Sequence, residues 1–172
     1  FSGDIINSSG VSDFDFMSLI KMTSSKNYNV SPTIDELSEG FRGQSNTEDF
    51  EEMLQLLHLY FTDPRVDETS FQSWLVKTKD ALVNSKRNPS SVLNDSLSYI
   101  MSGYHPRSKP LEESDLEKVD MNAAMKVYKE RFSNAGDFSF IFTGNIDKVK
   151  FEELVAKYIG SLKGTKKSES WK

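Results

Sequence analysis

The residues that could ligate a metal or act as a general base are few in this chain. His58 and His105 are its two histidines, and cysteine is absent. A catalytic zinc usually takes three protein ligands and a water, so a site here would need carboxylates gathered by the fold. We therefore predict no metal site in these 172 residues. His58 is expected to be a hydrogen-bonded residue at the edge of the core, and His105 a turn residue with a substrate or interface role as the alternative.

Other catalytic sets are also missing. Serine is plentiful but no G-x-S-x-G motif occurs, and Gly40-x-x-Gly43 lacks the lysine and the strand-to-helix position of a phosphate loop. One acidic run could in principle grip a cation: Glu48, Asp49, Glu51 and Glu52. Its position at a predicted helix start favours a simpler interpretation, because the helix dipole stabilises negative side chains there. No catalytic or cofactor-binding residue is predicted.

The charge and hydropathy of the chain limit the classes of partner that it can bind. The net charge is -5 and the pI near 5.1, which argues against nucleic acid, since phosphate binding needs a concentrated basic surface. A small basic cluster, Lys163, Lys166 and Lys167, lies in a polar C-terminal stretch and is interpreted as a solvated tail over residues 163–172. No run of about 18 apolar residues is present, so no membrane span is expected. Without cysteine there can be no disulfide, thiol nucleophile or thiolate zinc site.

The first third of the chain changes from helical to strand periodicity. A helix that ends at the polar run Asn7 to Gly10 is predicted, followed by a short helix capped by Ser12 and Asp13. Between residues 27 and 43 the period becomes two, which predicts a pair of strands with a turn near Asp35. Pro32 favours an edge position or a strand end, because proline cannot donate to a ladder.

Helical patterns fill the middle of the chain. A capping box, Ser45-x-x-Glu48, predicts a helix to about Phe61, and a second helix is expected from Glu68 to Ser85. Asn88-Pro89 starts a third helix as N-cap and first residue, and Gly103 ends it. Ser114-x-x-Glu117 and Asp120 are predicted to cap two more. The aromatic side chains expected in the core are Phe50, Tyr60, Phe61, Phe71 and Trp74.

The last unit reads as strand, turn and helix. Phe138, Phe140 and Phe142 alternate as in a half-buried strand, Gly144-Asn145 fits a turn, and a helix follows to about Tyr158. The order of elements predicts an α+β fold, with a small, mostly antiparallel sheet covered by several helices. Three strands are few for so many helices, so strands N-terminal to residue 1 are expected to be missing, which would leave an unpaired sheet edge open to association.

An ordered set of motifs from about Gly10 to Leu162 resembles the insulinase-type (pitrilysin) zinc peptidases. The set comprises Gly10-x-x-Asp13-Phe14, Gly40-Phe41-x-Gly43, Asp49-Phe50-Glu51-x-Met53-Leu54, Tyr60-Phe61-Thr62-x-Pro64-Arg65, Tyr104-His105-Pro106-Arg107 and Phe140-x-Phe142-x-Gly144-Asn145-Ile146-Asp147. No single motif is specific, but their order is. The H-x-x-E-H zinc motif of that family is absent.

The resemblance implies the first domain of the non-catalytic second half of a bacterial, periplasm-associated or cell-envelope member. In that family four homologous α+β domains enclose a peptide chamber, and only the first binds zinc. The chain would then be a piece of a zinc metalloendopeptidase that hydrolyses peptides or proteins, with residues 1–162 as one domain. Zinc is expected in the parent and no cofactor in this piece.

Partners follow from the same resemblance. They are other domains of the same polypeptide or a catalytic partner subunit, and peptide substrates for the parent. Tyr104, His105 and Arg107 form a loop that could lie at an interface or face the substrate. The alternative function is a pure scaffold without protease activity, like the inactive partners of mitochondrial processing peptidase and the related respiratory core proteins.

Overall fold

The computed structural model describes residues 1–35 and 37–165. The helices in this part are α1 (Ser2–Ser9), α2 (Phe16–Thr23), α3 (Phe50–Thr62), α4 (Glu68–Arg87), α5 (Pro89–Met101), α6 (Glu113–Leu116), α7 (Met121–Phe132) and α8 (Lys148–Tyr158). The strands are β1 (Gly10–Val11), β2 (Phe14–Asp15), β3 (Tyr28–Ile34) and β4 (Glu39–Ser45). Short 3-10 helices occur at Pro106–Ser108 and Ala135–Asp137. Of the predicted tail, Lys166 and Lys167 lie outside the described residues.

Strands β3 and β4 form the antiparallel hairpin that the alternating sequence predicted. The Asp35 N–H donates to the Ser38 carbonyl oxygen (2.8 Å), and the Asn46 N–H to that of Asn27 (3.0 Å), which marks hydrogen-bonded pairs at both ends of the ladder. Pairs alternate between hydrogen-bonded and non-hydrogen-bonded classes. Pro32, opposite Phe41, falls in the second class. Its missing N–H therefore costs no ladder bond.

The chain reaches this hairpin through a tight turn and a short helix. Strands β1 and β2 pair across the turn, and Gly10 has φ +97°, where a Cβ would overlap the Phe14 carbonyl oxygen. The predicted cap of the short helix is wrong: Ser12 and Asp13 lie in the turn, and the N-cap of α2 is Asp15, whose side chain accepts from the Ser18 N–H at 2.6 Å. The β1–β2 pairing moves the helix start.

Helix α3 is anchored to the hairpin by one carboxylate. Asp49 accepts from the Asn27 N–H (2.8 Å) and pairs with the Lys26 ammonium (3.0 Å), which also contacts Glu52 (2.7 Å). The predicted Ser45-x-x-Glu48 capping box is wrong, because β4 continues to Ser45 and α3 begins at Phe50. Asp49 and Glu52 of the acidic run therefore tie the residues just before β3 to the start of α3.

The core forms around α3. Leu54 is fully buried with Met53, Leu57 and Tyr60 on the same side of the helix. The Tyr60 carbonyl oxygen accepts from the hydroxyl of Tyr128, a fully buried residue of α7 (3.1 Å). Burial raises the pKa of Tyr60 to about 12. A second cluster joins Ile5 and Phe71 with Ala124, and partly buried Trp74 packs against it. The five aromatics predicted for the core are all buried or half-buried.

The remaining helices start largely as predicted. Asn88 and Asp120 cap α5 and α7, accepting from the Ser90 N–H (2.9 Å) and the Ala123 N–H (2.6 Å). Gly103 adopts φ +67° after α5. The capping box of α6 is formed by Glu112 with Asp115, so the predicted Ser114-x-x-Glu117 box is wrong. Both cap types satisfy the free N–H groups of a first turn, which is why a shift of two residues is hard to exclude from sequence.

The predicted closing strand over residues 138–142 is not observed. Phe138, Phe140 and Phe142 are half-buried and the residues between them exposed, as expected for a half-buried strand. However, this segment pairs with no strand among the described residues. The predicted alternation of buried and exposed side chains is therefore present, but among the described residues the segment has no strand with which to form a hydrogen-bonded ladder.

The fold is α+β: two small antiparallel sheets are covered by helices, as the sequence predicted. Each sheet has two strands instead of the expected single sheet of at least three. None of the helices in residues 1–35 and 37–165 is long and apolar enough to cross a bilayer.

The Asp49 anchor gives a pH-dependent prediction. The Asn27 N–H, followed by Lys26, lowers the pKa of Asp49 below its ordinary value of 3.8. A depressed pKa stabilises the fold above the ordinary pKa, and the effect is lost as pH falls through the folded value. Asp49→Asn should therefore lower the free energy of unfolding at pH 7, and the difference from wild type should shrink below about pH 4.

Urea titrations at several pH values measure this difference. The matched control is Asp95→Asn, which removes an exposed carboxylate of α5. A deficit in Asp49→Asn that is as large at pH 3 as at pH 7 would show that the charge of Asp49 is not what anchors α3.

Candidate functional site

A cleft lies between β4 and residues 137–142. It has a volume of about 820 Å³. Its walls are Glu39 to Gly43 on one side and Asp137 to Phe142 on the other, and its floor includes Met53 and Leu57 of α3. The cleft thus combines an apolar floor from α3 with charged residues, among them Glu39, Arg107 and Arg131.

A second hollow lies next to it. It has a volume of about 550 Å³ and lies between Gly43–Thr47 and Ile141–Asp147, above Phe50 and Phe151. Both hollows share Gly43, Met53, Ile141 and Phe142 as lining residues. They therefore form one continuous furrow along β4, which we call the β4 cleft.

His58 belongs to a polar network that fastens α8 to α3. Its Nδ1 donates to the Tyr158 carbonyl oxygen (2.7 Å), which can only accept. The Tyr158 hydroxyl donates to Glu51 Oε1 (2.8 Å), which also pairs with Lys157 (3.0 Å). The hydrogen bond from the Tyr158 hydroxyl lowers the pKa of Glu51, and the Lys157 ammonium lowers it further. The predicted hydrogen-bonded role of His58 is confirmed.

The loop after α5 carries the predicted interface residues. Tyr104 has φ +61° and its ring meets that of Tyr99 edge-on at 5.2 Å. His105 is a turn residue, because its Nδ1 accepts from the Arg107 N–H (3.2 Å) and so caps Pro106–Ser108. Arg107 lines the β4 cleft, whereas Tyr104 is 61% exposed. An interface or substrate-side role for the three remains a prediction.

The two histidines make separate hydrogen bonds in the described structure. His58 contacts α8, whereas His105 caps its own loop. Within residues 1–35 and 37–165 no group of three or more histidine, cysteine, aspartate or glutamate residues could hold a metal ion.

An apolar helix face is the feature that sequence reasoning missed. Helix α5 packs mainly on α4 and has no buried residue. Its exposed apolar side chains are Val92, Leu93, Leu97, Ile100 and Met101. Their helical spacing is visible in the sequence, but spacing alone does not show whether another element covers them. Helix α2 likewise exposes Phe16, Met17 and Ile20.

The chain is similar in sequence to a zinc protease. It is 21% identical over 158 residues to the probable zinc protease PqqL of Escherichia coli (strain K12), which covers 92% of this chain and 17% of PqqL. The chain therefore spans about a sixth of the length of this curated relative. No protein-family model matches the chain.

Three solved structures share its fold. The periplasmic protease PqqL of Escherichia coli matches with a TM-score of 0.74 and 19% identity, covering 98% of this chain and 19% of that one. A mutant of the ferredoxin protease FusC, in complex with Arabidopsis ferredoxin, gives 0.72 and 14%, covering 99% and 19%. A peptidase M16 inactive domain from Pseudomonas fluorescens gives 0.71 and 15%, covering 98% and 42%.

The chain has the fold of the insulinase-type peptidase domains. The resemblance predicted from its motifs is confirmed, and one of the matched structures is itself an inactive domain.

The separation of the two histidines predicts that the purified chain holds no stoichiometric zinc. Ordinary zinc sites need three or four ligands, and within residues 1–35 and 37–165 no three such side chains are grouped to hold a metal ion. Elemental analysis after dialysis is the measurement, with a His58→Ala, His105→Ala double variant as control. About one zinc per chain that disappears in the double variant would contradict the prediction.

Proposed function

We propose that this chain is a non-catalytic domain of a zinc metalloendopeptidase, where it helps to form the chamber that encloses peptide substrates. The observation that carries the proposal is the fold shared with an inactive peptidase domain and with two proteases, combined with the absence of the H-x-x-E-H motif. Zinc and the hydrolytic step belong to another part of the parent. Residues 1–162 act as the domain and 163–172 as its tail or linker.

The exposed helix faces support this role. A monomeric protein rarely leaves a contiguous apolar patch open, and such patches mark contact surfaces. Helix α5 exposes five large apolar side chains between Val92 and Met101. In the proposed parent, these side chains are covered by another domain of the same polypeptide or by a catalytic partner subunit. Tyr104, which is exposed in the loop after α5, extends the same surface.

The location and partners follow from the same likeness. PqqL is described as periplasmic, and we propose the same compartment for this protein. Peptides are the proposed substrates of the parent, and nucleic acid is not a proposed partner because the chain is acidic.

The alternative is a scaffold of the processing-peptidase or core-protein type without protease activity. This alternative agrees equally well with the fold and with the absence of the H-x-x-E-H motif from this chain. The two functions differ only in whether a zinc motif is present elsewhere in the polypeptide or in a partner. The proportion of each relative that this chain matches, 17% to 42%, leaves ample length for such a motif.

The test compares the complete gene product with the 172-residue chain. The complete protein should contain about one zinc per chain and cleave an unstructured peptide library in a chelator-sensitive manner, because a zinc-bound water is the nucleophile in such peptidases. The 172-residue chain should do neither. Mass spectrometry of the digests and elemental analysis measure both properties.

Two outcomes would contradict the proposal. A complete gene product that is inactive and free of zinc, alone and with every subunit that purifies with it, would favour the scaffold. Chelator-sensitive cleavage by the 172-residue chain after repurification would place a catalytic site within it.

A further inference from the structure

After helix α8 the chain crosses the turn that follows helix α7. This turn is the 3-10 helix Ala135–Asp137 with its N-cap Asn134. The part of the chain that crosses it is residues 163–165, and all three are exposed. Burial of apolar side chains therefore does not hold these residues in place, and their position depends on polar contacts.

The side-chain amide of Asn134 binds the main chain of Thr165 at two points. Its Oδ1 accepts from the Thr165 N–H (2.6 Å), and its Nδ2 donates to the Thr165 carbonyl oxygen (3.1 Å). The Ala135 N–H donates to the Lys163 carbonyl oxygen (2.9 Å). An asparagine amide has a donor and an acceptor like those of a peptide group, so it can pair with a main chain as a neighbouring strand does. Three hydrogen bonds thus join the turn to residues 163–165.

Two glycines allow the two main chains to approach each other. A Cβ on Gly136 would lie 2.8 Å from the Thr165 carbonyl oxygen, and a Cβ on Gly164 would lie 3.2 Å from the Gly136 nitrogen. Neither glycine has a positive φ. Close approach, and not an unusual backbone conformation, therefore accounts for the use of glycine on both sides of this contact.

The turn is held in shape by contacts of its own. Phe132, the last residue of α7, is 2% exposed, and the ring of Phe138 stacks on it at 5.4 Å. These rings anchor the turn at both ends. Asn134 Oδ1 also accepts from the Gly136 N–H (3.3 Å), which orients the amide. A binding group that is already in position loses little conformational entropy when it binds.

We propose that residues 134–136 are a latch that fixes the base of a linker, residues 163–165, on the surface of the domain. When the latch is closed, the polypeptide leaves the domain from a fixed point. When it is open, the linker moves freely from Leu162 onward. The latch thereby limits the orientations that the next part of the parent can adopt relative to this domain. The role of residues 163–172 as a linker rests on the proposed function.

The latch can open while the domain stays folded. Asn134 and Ala135 are only half-buried and Gly136 is exposed, so the hydrogen bonds of the latch lie outside the α3 core. Contacts of this kind open locally at a lower free energy than global unfolding. The hydrogen bonds should also open together, because residues 163–165 have no other contact that would keep one bond in place after the others break.

Amide hydrogen exchange by NMR on the 172-residue chain tests the latch. Asn134→Ala removes both bonds to Thr165 but leaves the partners of the Ala135–Lys163 bond unchanged. If the bonds act as one latch, the Ala135 amide should exchange at least tenfold faster than in wild type after correction for its intrinsic rate. The matched control is Asn94→Ala, which removes an exposed amide of α5 and should leave the exchange of Ala135 unchanged.

A second variant opens the latch from the other side. Gly164→Val leaves the sequence of the turn intact and places a branched side chain where a Cβ alone would already crowd the Gly136 nitrogen. The amides of Ala135 and Thr165 should both exchange at least tenfold faster in this variant.

Limited trypsin digestion extends the test to the complete gene product. Cleavage of the Lys163–Gly164 bond requires the open state, so its rate follows the open population. Mass spectrometry should find this cleavage at least fivefold faster in Asn134→Ala than in Asn94→Ala. Equal rates would show that the latch does not restrain the linker in the parent, and would overturn the proposal.

Three results with the 172-residue chain would also overturn it. Faster exchange of Thr165 with unchanged exchange of Ala135 would show that the bonds are independent. An unprotected Thr165 amide in wild type would show that the contact does not form in solution. A fall in the urea midpoint as large as that of Leu54→Ala would make the contact part of the core. None of these results involves zinc or peptide cleavage by the parent, so the latch and the proposed function fail separately.

Discussion

The burial of helix α3 is the constraint on which the rest of this structure depends. Leu54 is fully enclosed, and Tyr60 carries the carbonyl that satisfies the buried hydroxyl of Tyr128. The helix is fixed at its start by Asp49, which joins it to the hairpin, and along its exposed side by Glu51 and His58, which join it to α8. Asp49, Glu51 and His58, which first suggested chemistry, thus hold α3 in place.

Much of the fold could be predicted from the sequence, because helix faces and caps are local properties. Asn88 and Asp120 were recognised as caps, and the alternation around Val30 gave the hairpin. The errors at Ser45 and Ser114 have one cause. A side chain near a helix start can satisfy N–H groups from more than one position, and the competing strand β4 or the Glu112 cap decides between them.

The candidate surfaces were harder to predict, because an open surface is defined by the lack of a neighbouring element that covers it. Phe138 to Phe142 has a strand pattern, but only the structure shows that its main chain lacks a partner among the described residues. Leu93 and Leu97 have core-like spacing, and only their exposure shows that no element of the described chain covers them. Hydrophobic periodicity shows that one face of an element is apolar. It does not show which other element covers that face. The same open surfaces support a role in contacts with other parts of a larger protein.

The central claim is that burial around α3 stabilises this chain, whereas the exposed α5 face contributes little to its stability. Urea unfolding of Leu54→Ala and Leu93→Ala tests it with the same chemical change at a buried and at an exposed leucine. The account predicts a loss of about 2–5 kcal/mol for Leu54→Ala and a change within about 0.5 kcal/mol for Leu93→Ala. Comparable losses in the two variants would contradict it, since α5 would then be part of the core.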